Sequence, residues 1–231
     1  MTALRSYCHR RRRFLTARRP RNHNLEEQAK SLYRSWFVDF EPFKDGSFVD
    51  SELGMIPKGW RIGTLSELIG IRYGKDHKAL KDGCIPVYGS GGLMRKVEKA
   101  LYDGESVLIP RKGTLNNVLY VNGAFWSVDT MFYSVERLSN AMKYCHLFLL
   151  TQDLASMNSG SAVPSMTTDI LNSLPLLIPT SNVLESFSQV VSSIYEIRRQ
   201  KEHESALLAQ SRDAILPKLM AGQLNNAYLN C

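Results

Sequence analysis

The stretch Ser106-Val107-Leu108-Ile109-Pro110-Arg111-Lys112-Gly113-Thr114-Leu115-Asn116-Asn117-Val118-Leu119-Tyr120-Val121 decides the fold class. Two runs of β-branched and large apolar residues flank a polar segment rich in turn formers. That is the pattern of strand, loop, strand. The same texture recurs at Arg61–Leu65, Ile85–Tyr88 and Met131–Val135, with glycine turns between. It extends from Met55 to about Pro179 and predicts a mostly β or α+β domain of about 125 residues. A helical interruption is expected near Asn140–Gln152, where Met142, Cys145, Leu149 and Leu150 fall on one side.

Outside this region the period changes to that of helices. Leu25, Ala29, Leu32, Tyr33, Trp36 and Phe37 share one face. Asn24 suits the N-cap, Glu26 and Glu27 suit the first turn, and Pro42 with Asp45-Gly46 ends the segment. A second helix is expected from about Val183 to Arg212. Leu184, Phe187, Val191 and Ile194 form a coiled-coil seam that loosens at Arg198 and Lys201 and recovers at Leu207, Leu208 and Ile215. Pro217 should break it. At about 45 Å this helix exceeds a small domain, so it should protrude or pair with the first helix, a second copy of the chain, or both. The expected class is therefore α+β: one mixed β-rich domain flanked by a short N-terminal helix and a long C-terminal coiled-coil helix. The divisions fall at 1–23, 24–54, 55–180 and 181–231.

Composition excludes several classes. The 231 residues are 44% hydrophobic and 22% charged, unlike a disordered chain, a collagen or a disulfide knot. The net charge of +7 is local: residues 1–23 hold eight arginines and no acid, leaving 21 basic residues against 22 acidic ones elsewhere. Overall charge therefore says nothing of the folded body's affinity for nucleic acid. The Arg-rich leader reads as a disordered segment or as a basic arm for phosphates. Arg11-Arg12-Arg13-Phe14-Leu15 resembles a twin-arginine export signal, but polar residues follow it and no stretch reaches the apolar length of a membrane span. The cysteines Cys8, Cys84, Cys145 and Cys231 lack metal-ligand spacing and fit a reducing cytoplasm.

No phosphate loop, no HExxH and no dinucleotide fingerprint occurs. Asp39, Glu41 and Lys44 are wrongly spaced for a nuclease cluster, and no histidine and aspartate stand near Ser161 or Ser165 in sequence. No catalytic constellation and no metal site is expected. Three loops instead carry groups suited to nucleic acid. The first holds Lys75, His77 and Lys78; the second Tyr88, Ser90 and Arg95; the third Arg111, Lys112, Thr114, Asn116 and Asn117. Arg pairs bidentately with guanine and Asn with adenine, while Lys and Thr more often sit on phosphates. The competing reading is that all three are hairpin turns needing Gly, Asn and charge.

Several motifs, in order, resemble the specificity subunit of type I restriction-modification systems. Ser31-Leu32-Tyr33-Arg34-Ser35-Trp36-Phe37-Val38-Asp39-Phe40-Glu41-Pro42-Phe43 looks like the exit of that family's conserved helix. Ile56-Pro57-Lys58-Gly59-Trp60 and Ile85-Pro86-Val87-Tyr88-Gly89-Ser90-Gly91-Gly92 resemble the opening and the glycine-rich segment of its target-recognition domain. Ile109–Thr114, Phe125–Thr130, Gly160-Ser161-Ala162-Val163-Pro164-Ser165-Met166 and Leu174–Pro179 resemble its hairpins and end, and Arg212–Gly222 its terminal helix motif.

The resemblance implies a non-catalytic subunit that reads double-stranded DNA and docks adenine methyltransferase subunits. No cofactor is implied in this chain; S-adenosylmethionine, ATP and Mg are expected on the methyltransferase and restriction subunits. Only one recognition domain is present, which resembles the C-terminal half of a full subunit. Such half-length members act as head-to-tail dimers, with a second copy or another half-length subunit, so a symmetric interrupted site is expected. An inactive gene fragment is the alternative; a stand-alone DNA-modifying enzyme and a coiled-coil adaptor are weaker ones. Ser161 joins the candidate DNA contacts. Leu32, Trp36, Phe37, Phe40, Leu184, Phe187, Val191, Ile194 and Leu208 are the candidates for partner or helix packing.

Overall fold

The computed structural model describes residues 19–157 and 164–220, with side chains from Asn24 onward. In chain order the elements are α1 (Arg19–Phe37), a 3-10 turn (Glu41–Phe43), β1 (Phe48–Val49), β2 (Ile56–Pro57), β3 (Arg61–Thr64), α2 (Leu65–Leu68), β4 (Ile69–Tyr73), β5 (Asp82–Gly89), β6 (Gly92–Val97), β7 (Tyr102–Pro110), β8 (Leu119–Ser127), β9 (Met131–Glu136), α3 (Met142–Thr151), α4 (Thr168–Asn172), β10 (Pro175–Ile178) and α5 (Ser181–Met220). The class is the expected α+β, with a β-rich centre, a short first helix and a long last one. The chain divides into two compact units, Lys30–Val191 and a smaller one drawn from Met1–Ala29 and Ser192–Cys231.

The larger unit is built on a six-stranded sheet of order β4-β9-β7-β8-β5-β6. Strand β7 pairs with β8 from Tyr102↔Phe125 to Leu108↔Leu119, and with β9 only from Leu108↔Tyr133 to Pro110↔Met131. On a flat sheet this offset would hold Ser127 about 30 Å from Met131. The four-bond chain step between them reaches at most about 14 Å. The sheet must therefore coil. Gly104 and Gly123 face each other across β7 and β8 and both take positive φ, 139° and 109°, a backbone that only glycine adopts freely. Where the β7–β9 ladder ends, two buried serines continue it. Ser106 Oγ donates to the Ser134 carbonyl (2.8 Å) and the Val107 N–H donates to Ser134 Oγ (2.7 Å).

Against this sheet packs α3. The expected one-sided helix is corrected: every residue from Met142 to Leu149 is buried, because neighbouring elements cover its whole circumference. That includes Lys143, whose ammonium reaches Glu105 (2.9 Å) and Ser188 (3.4 Å) and lies 5.7 Å from the Tyr120 ring. A neighbouring carboxylate, Glu136, is held above the usual carboxylate range, chiefly by burial.

An aromatic cluster closes the other side of α3. Phe37 stands edge-on to Tyr144 (4.6 Å) and Phe187 (4.7 Å), and Trp36 touches Phe187 (5.5 Å). Phe43 and Phe40 meet Trp60 at 5.0 and 5.7 Å. Phe40 sits in the left-handed region (φ 51°), a conformation a bulky residue keeps only when its surroundings hold it there. Leu184, Phe187 and Val191 are fully buried in the same unit, while Leu32, Trp36 and Phe40 are half-buried. Here Phe187 of the seam meets Trp36 and Phe37 of α1 in the same chain, and Ser188 beside it meets Lys143 of α3. Burial of this kind stabilises by about 2–3 kcal/mol per large side chain.

In the smaller unit Glu26 and Arg198 approach to 3.9 Å, and Arg198 also pairs with Glu202 (2.9 Å). Ile194 is half-buried and Leu208 exposed. Two helix limits are corrected. Helix α1 does not start at Asn24, which lies inside the described helix Arg19–Phe37 and accepts a hydrogen bond from Gln28 Nε2 (3.0 Å). Helix α5 passes through Pro217 and is described as far as Met220, with one rung of the ladder lost at the proline, which has no N–H to donate. Residues 1–18, including the start of the leader, lie outside the described residues, as do 221–231. No described helix is long and apolar enough to cross a membrane.

Candidate nucleic-acid interface

The turn Ser127-Val128-Asp129-Thr130-Met131 links β8 to β9, and three loops distant in sequence are fastened to its backbone. From the first loop, the Lys75 N–H donates to the Ser127 carbonyl (2.8 Å) and the Gly74 N–H to the Met131 carbonyl (3.0 Å). Trp126 Nε1 returns a bond to the Lys75 carbonyl (2.9 Å). From the second, the Tyr88 carbonyl accepts from the Val128 N–H (3.1 Å). From the third, the Arg111 and Lys112 N–H groups both donate to the Thr130 carbonyl (2.8 and 3.2 Å). Asn117 Nδ2 then ties the third loop to the second through the Ser90 carbonyl (2.7 Å). A bridge between Lys112 and Ser165 adds the segment after β-sheet closure. Gly74 is required at this junction, because a Cβ there would strike the carbonyls of Val128 and Ser127.

The candidate side chains divide into two groups. Lys75, Lys78, Lys112 and Thr114 are exposed. Asp76 lies between the two lysines of the first loop; the Lys78 N–H donates to it (3.0 Å) and holds its carboxyl below the usual range, so that loop keeps a net charge of about +1 at neutral pH. Arg111 is half-buried. Its guanidinium lies 5.3 Å from the Tyr73 ring and donates to the Asp129 carbonyl (3.3 Å), which fixes its direction. Tyr88, Ser90 and His77 are half-buried, and His77 Nδ1 and the buried Ser127 Oγ have no hydrogen-bond partner among the described residues.

The second group is turned to structural use. Arg95 lies on β6 rather than in a flexible turn, bonded to Asp82 (2.8 Å) and to the Leu80 carbonyl (2.9 Å). Asn116 is exposed, yet its Nδ2 donates to Asp153 (3.1 Å) and its Oδ1 accepts from the Ala155 N–H (2.9 Å). Both ends of its amide serve the chain. Ser161 lies outside the described residues. The sequence places Tyr73 at the head of the first loop and Phe125–Thr130 in a family hairpin, but it does not reveal Trp126 and the turn 127–131 as the frame of the site. The available signal was Ser127-Val128-Asp129-Thr130, a polar turn between two strand runs.

Comparisons with known proteins agree with this architecture. The family model of the type I restriction modification DNA specificity domain matches residues 57–204. The chain is 25% identical over 244 residues to the type I restriction enzyme MjaIX specificity subunit of Methanocaldococcus jannaschii, covering 90% of this chain and 54% of that protein. It is 30% identical over 125 residues to the type I restriction enzyme EcoprrI specificity subunit of Escherichia coli, covering 50% and 31%. The chain thus spans about half, or less, of the curated relatives it matches. The crystal structure of a type I restriction-modification S subunit from M. genitalium superposes with a TM-score of 0.65 at 18% identity, over 90% of this chain and 56% of that one, and shares its fold. With the family model covering well over half of its length, the chain belongs to the type I restriction modification DNA specificity domain family.

Proposed function

We propose that this chain reads one half of a bipartite site in double-stranded DNA and docks adenine methyltransferase subunits of a type I restriction-modification complex. The convergence of three loops on the turn 127–131 carries this reading. It gathers exposed cations from positions 75, 78 and 112 on a frame held by backbone hydrogen bonds. In this reading Lys75, Lys78 and Lys112 neutralise phosphates and set the register. Arg111, oriented by Tyr73 and Asp129, offers two parallel donors to a guanine edge. Asn117 and the hydroxyls of Ser90 and Thr114 complete the polar readers. The chain itself performs no chemistry. S-adenosylmethionine belongs to the methyltransferase subunits, and ATP with Mg to a separate restriction subunit. A second copy, or another half-length subunit, supplies the second recognition domain.

The test is a methylation map. The chain is expressed with its cognate methyltransferase subunit in a host free of other adenine methylation, and the DNA is read by modification-sensitive sequencing. An interrupted motif that needs both proteins is expected, symmetric for a homodimer and asymmetric for a mixed pair. A soluble, copurified complex that leaves no motif would overturn the reading.

A further inference from the structure

The β5–β6 hairpin ends in Ser90-Gly91-Gly92-Leu93-Met94, and its two large apolar side chains stand in water. Leu93 is 58% exposed and Met94 57%. A Cβ added at Gly91 or Gly92 would meet nothing within 4 Å, so these two residues are open, while the Met94 thioether lies over Gly89 and Ser90 faces Gly113. The tip is nevertheless placed by the loop cluster. Leu93 pairs with Tyr88, whose carbonyl is held by the turn, and the Ser90 carbonyl is held by Asn117. Between Ile85 and Val97 there is no acidic residue; Arg95 after the tip is paired with Asp82 (2.8 Å), which leaves exposed Lys96 as a cation beside it.

Leaving two apolar side chains in water is unfavourable unless something covers them. The surrounding charge favours a polyanion. The hairpin is the edge of the sheet, joined to β8 at Val87 and Tyr88, so its tip keeps the two-stranded form that the major groove of B-DNA admits. In that groove the apolar feature is the C5 methyl of thymine. We infer that Leu93 and Met94 are specificity-determining residues that enter the major groove and read thymine methyl groups. The inference rests on the DNA-reading proposal above and names one chemistry within it.

The experiment uses the complex with its methyltransferase subunits and a duplex bearing the mapped motif, made with thymine or with uracil in the half-site. Uracil lacks only the methyl. The wild-type complex should bind the uracil duplex more weakly, by about fourfold per methyl contacted. Leu93→Ala with Met94→Ala should lose as much on the thymine duplex and become indifferent to uracil. Exchange of the two residues, Leu93→Met with Met94→Leu, should restore most of the thymine preference. Equal wild-type affinity for both duplexes would overturn the inference while leaving DNA reading intact. So would a double alanine variant that keeps its preference, or one weakened equally on both duplexes, as a minor-groove wedge would be. A wild-type complex that binds neither duplex would instead overturn the DNA reading itself.

Discussion

Around Phe37 the Lys30–Val191 unit packs rings edge to face, with Tyr144 and Phe187 less than 5 Å away and Lys143 tied to Glu105 beside them. Around Ser127–Met131 the same unit joins its loops by backbone hydrogen bonds and leaves lysines in water. One region is held by what its side chains bury; the other chiefly by main-chain groups, with Trp126 and Asn117 adding side-chain bonds to the frame. The difference teaches where variation is tolerated. Apart from Gly74, Trp126 and Asn117, side chains on the loop cluster can change without loss of the frame, whereas those of the aromatic cluster cannot. A surface that must read different bases on a constant scaffold needs that separation.

The sharpest break in this contrast is Phe187→Ala, which should cost about 3–5 kcal/mol in urea unfolding because a fully buried ring leaves a cavity. Gly74→Ala should show that the loop cluster is vulnerable in its backbone. A loss of about 2 kcal/mol is expected, together with weakened DNA binding, since the new methyl displaces the turn. Lys143→Met should cost about 2 kcal/mol by leaving Glu105 without its partner; this is below the full figure for a buried pair because Glu105 is 35% exposed. Adding Glu105→Gln should recover most of the loss, and an additive double variant would show that the pair does not interact.

Lys75→Ala with Lys112→Ala tests the other side. Stability should change by no more than about 0.5 kcal/mol. The slope of log affinity against log salt should become shallower by about 1.8, if each lysine holds one phosphate. An unchanged slope would remove these lysines from the interface. The smallest expected effect lies at Glu136. Its folded-state pKa is raised, so the folded chain keeps a proton that the unfolded chain has lost. Its contribution to stability is therefore present below the ordinary carboxylate range and is lost as pH rises through the raised value. Glu136→Gln should remove that decline, so the urea midpoints of the two proteins should lie closest near pH 3.5 and diverge as pH rises to about 7. Parallel profiles would show that Glu136 is not perturbed.

Much of the fold was legible from local pattern. The strand runs at 61–65, 85–88, 106–109, 118–121 and 131–135 coincide with observed strands except that Leu65 opens α2 and Val118 precedes β8, and helix α3 falls inside the interval read as helical. The seam Leu184, Phe187, Val191 is buried as its spacing implied. Strand β6 was read as a flexible loop because Gly91-Gly92 and two bases mask its pattern; its partner β5 makes it a strand. At the candidate interface the three loops were visible as polar segments with Gly and Lys. The inward engagement of Arg95 and Asn116 was not, because their partners Asp82 and Asp153 lie 13 and 37 residues away.

What the amino-acid order determined by itself is whatever depends on near neighbours: periodicity, turn chemistry, the aromatic run from Trp36 to Phe43, and the motifs of the family. Tertiary structure alone decided that β7 is shared between β8 and β9, that the sheet coils at Gly104 and Gly123, and that the loops meet on the turn 127–131. The physical reason is range. Propensity and patterning act over a few residues, while strand register and loop convergence depend on hydrogen bonds between groups that only chain folding brings within reach.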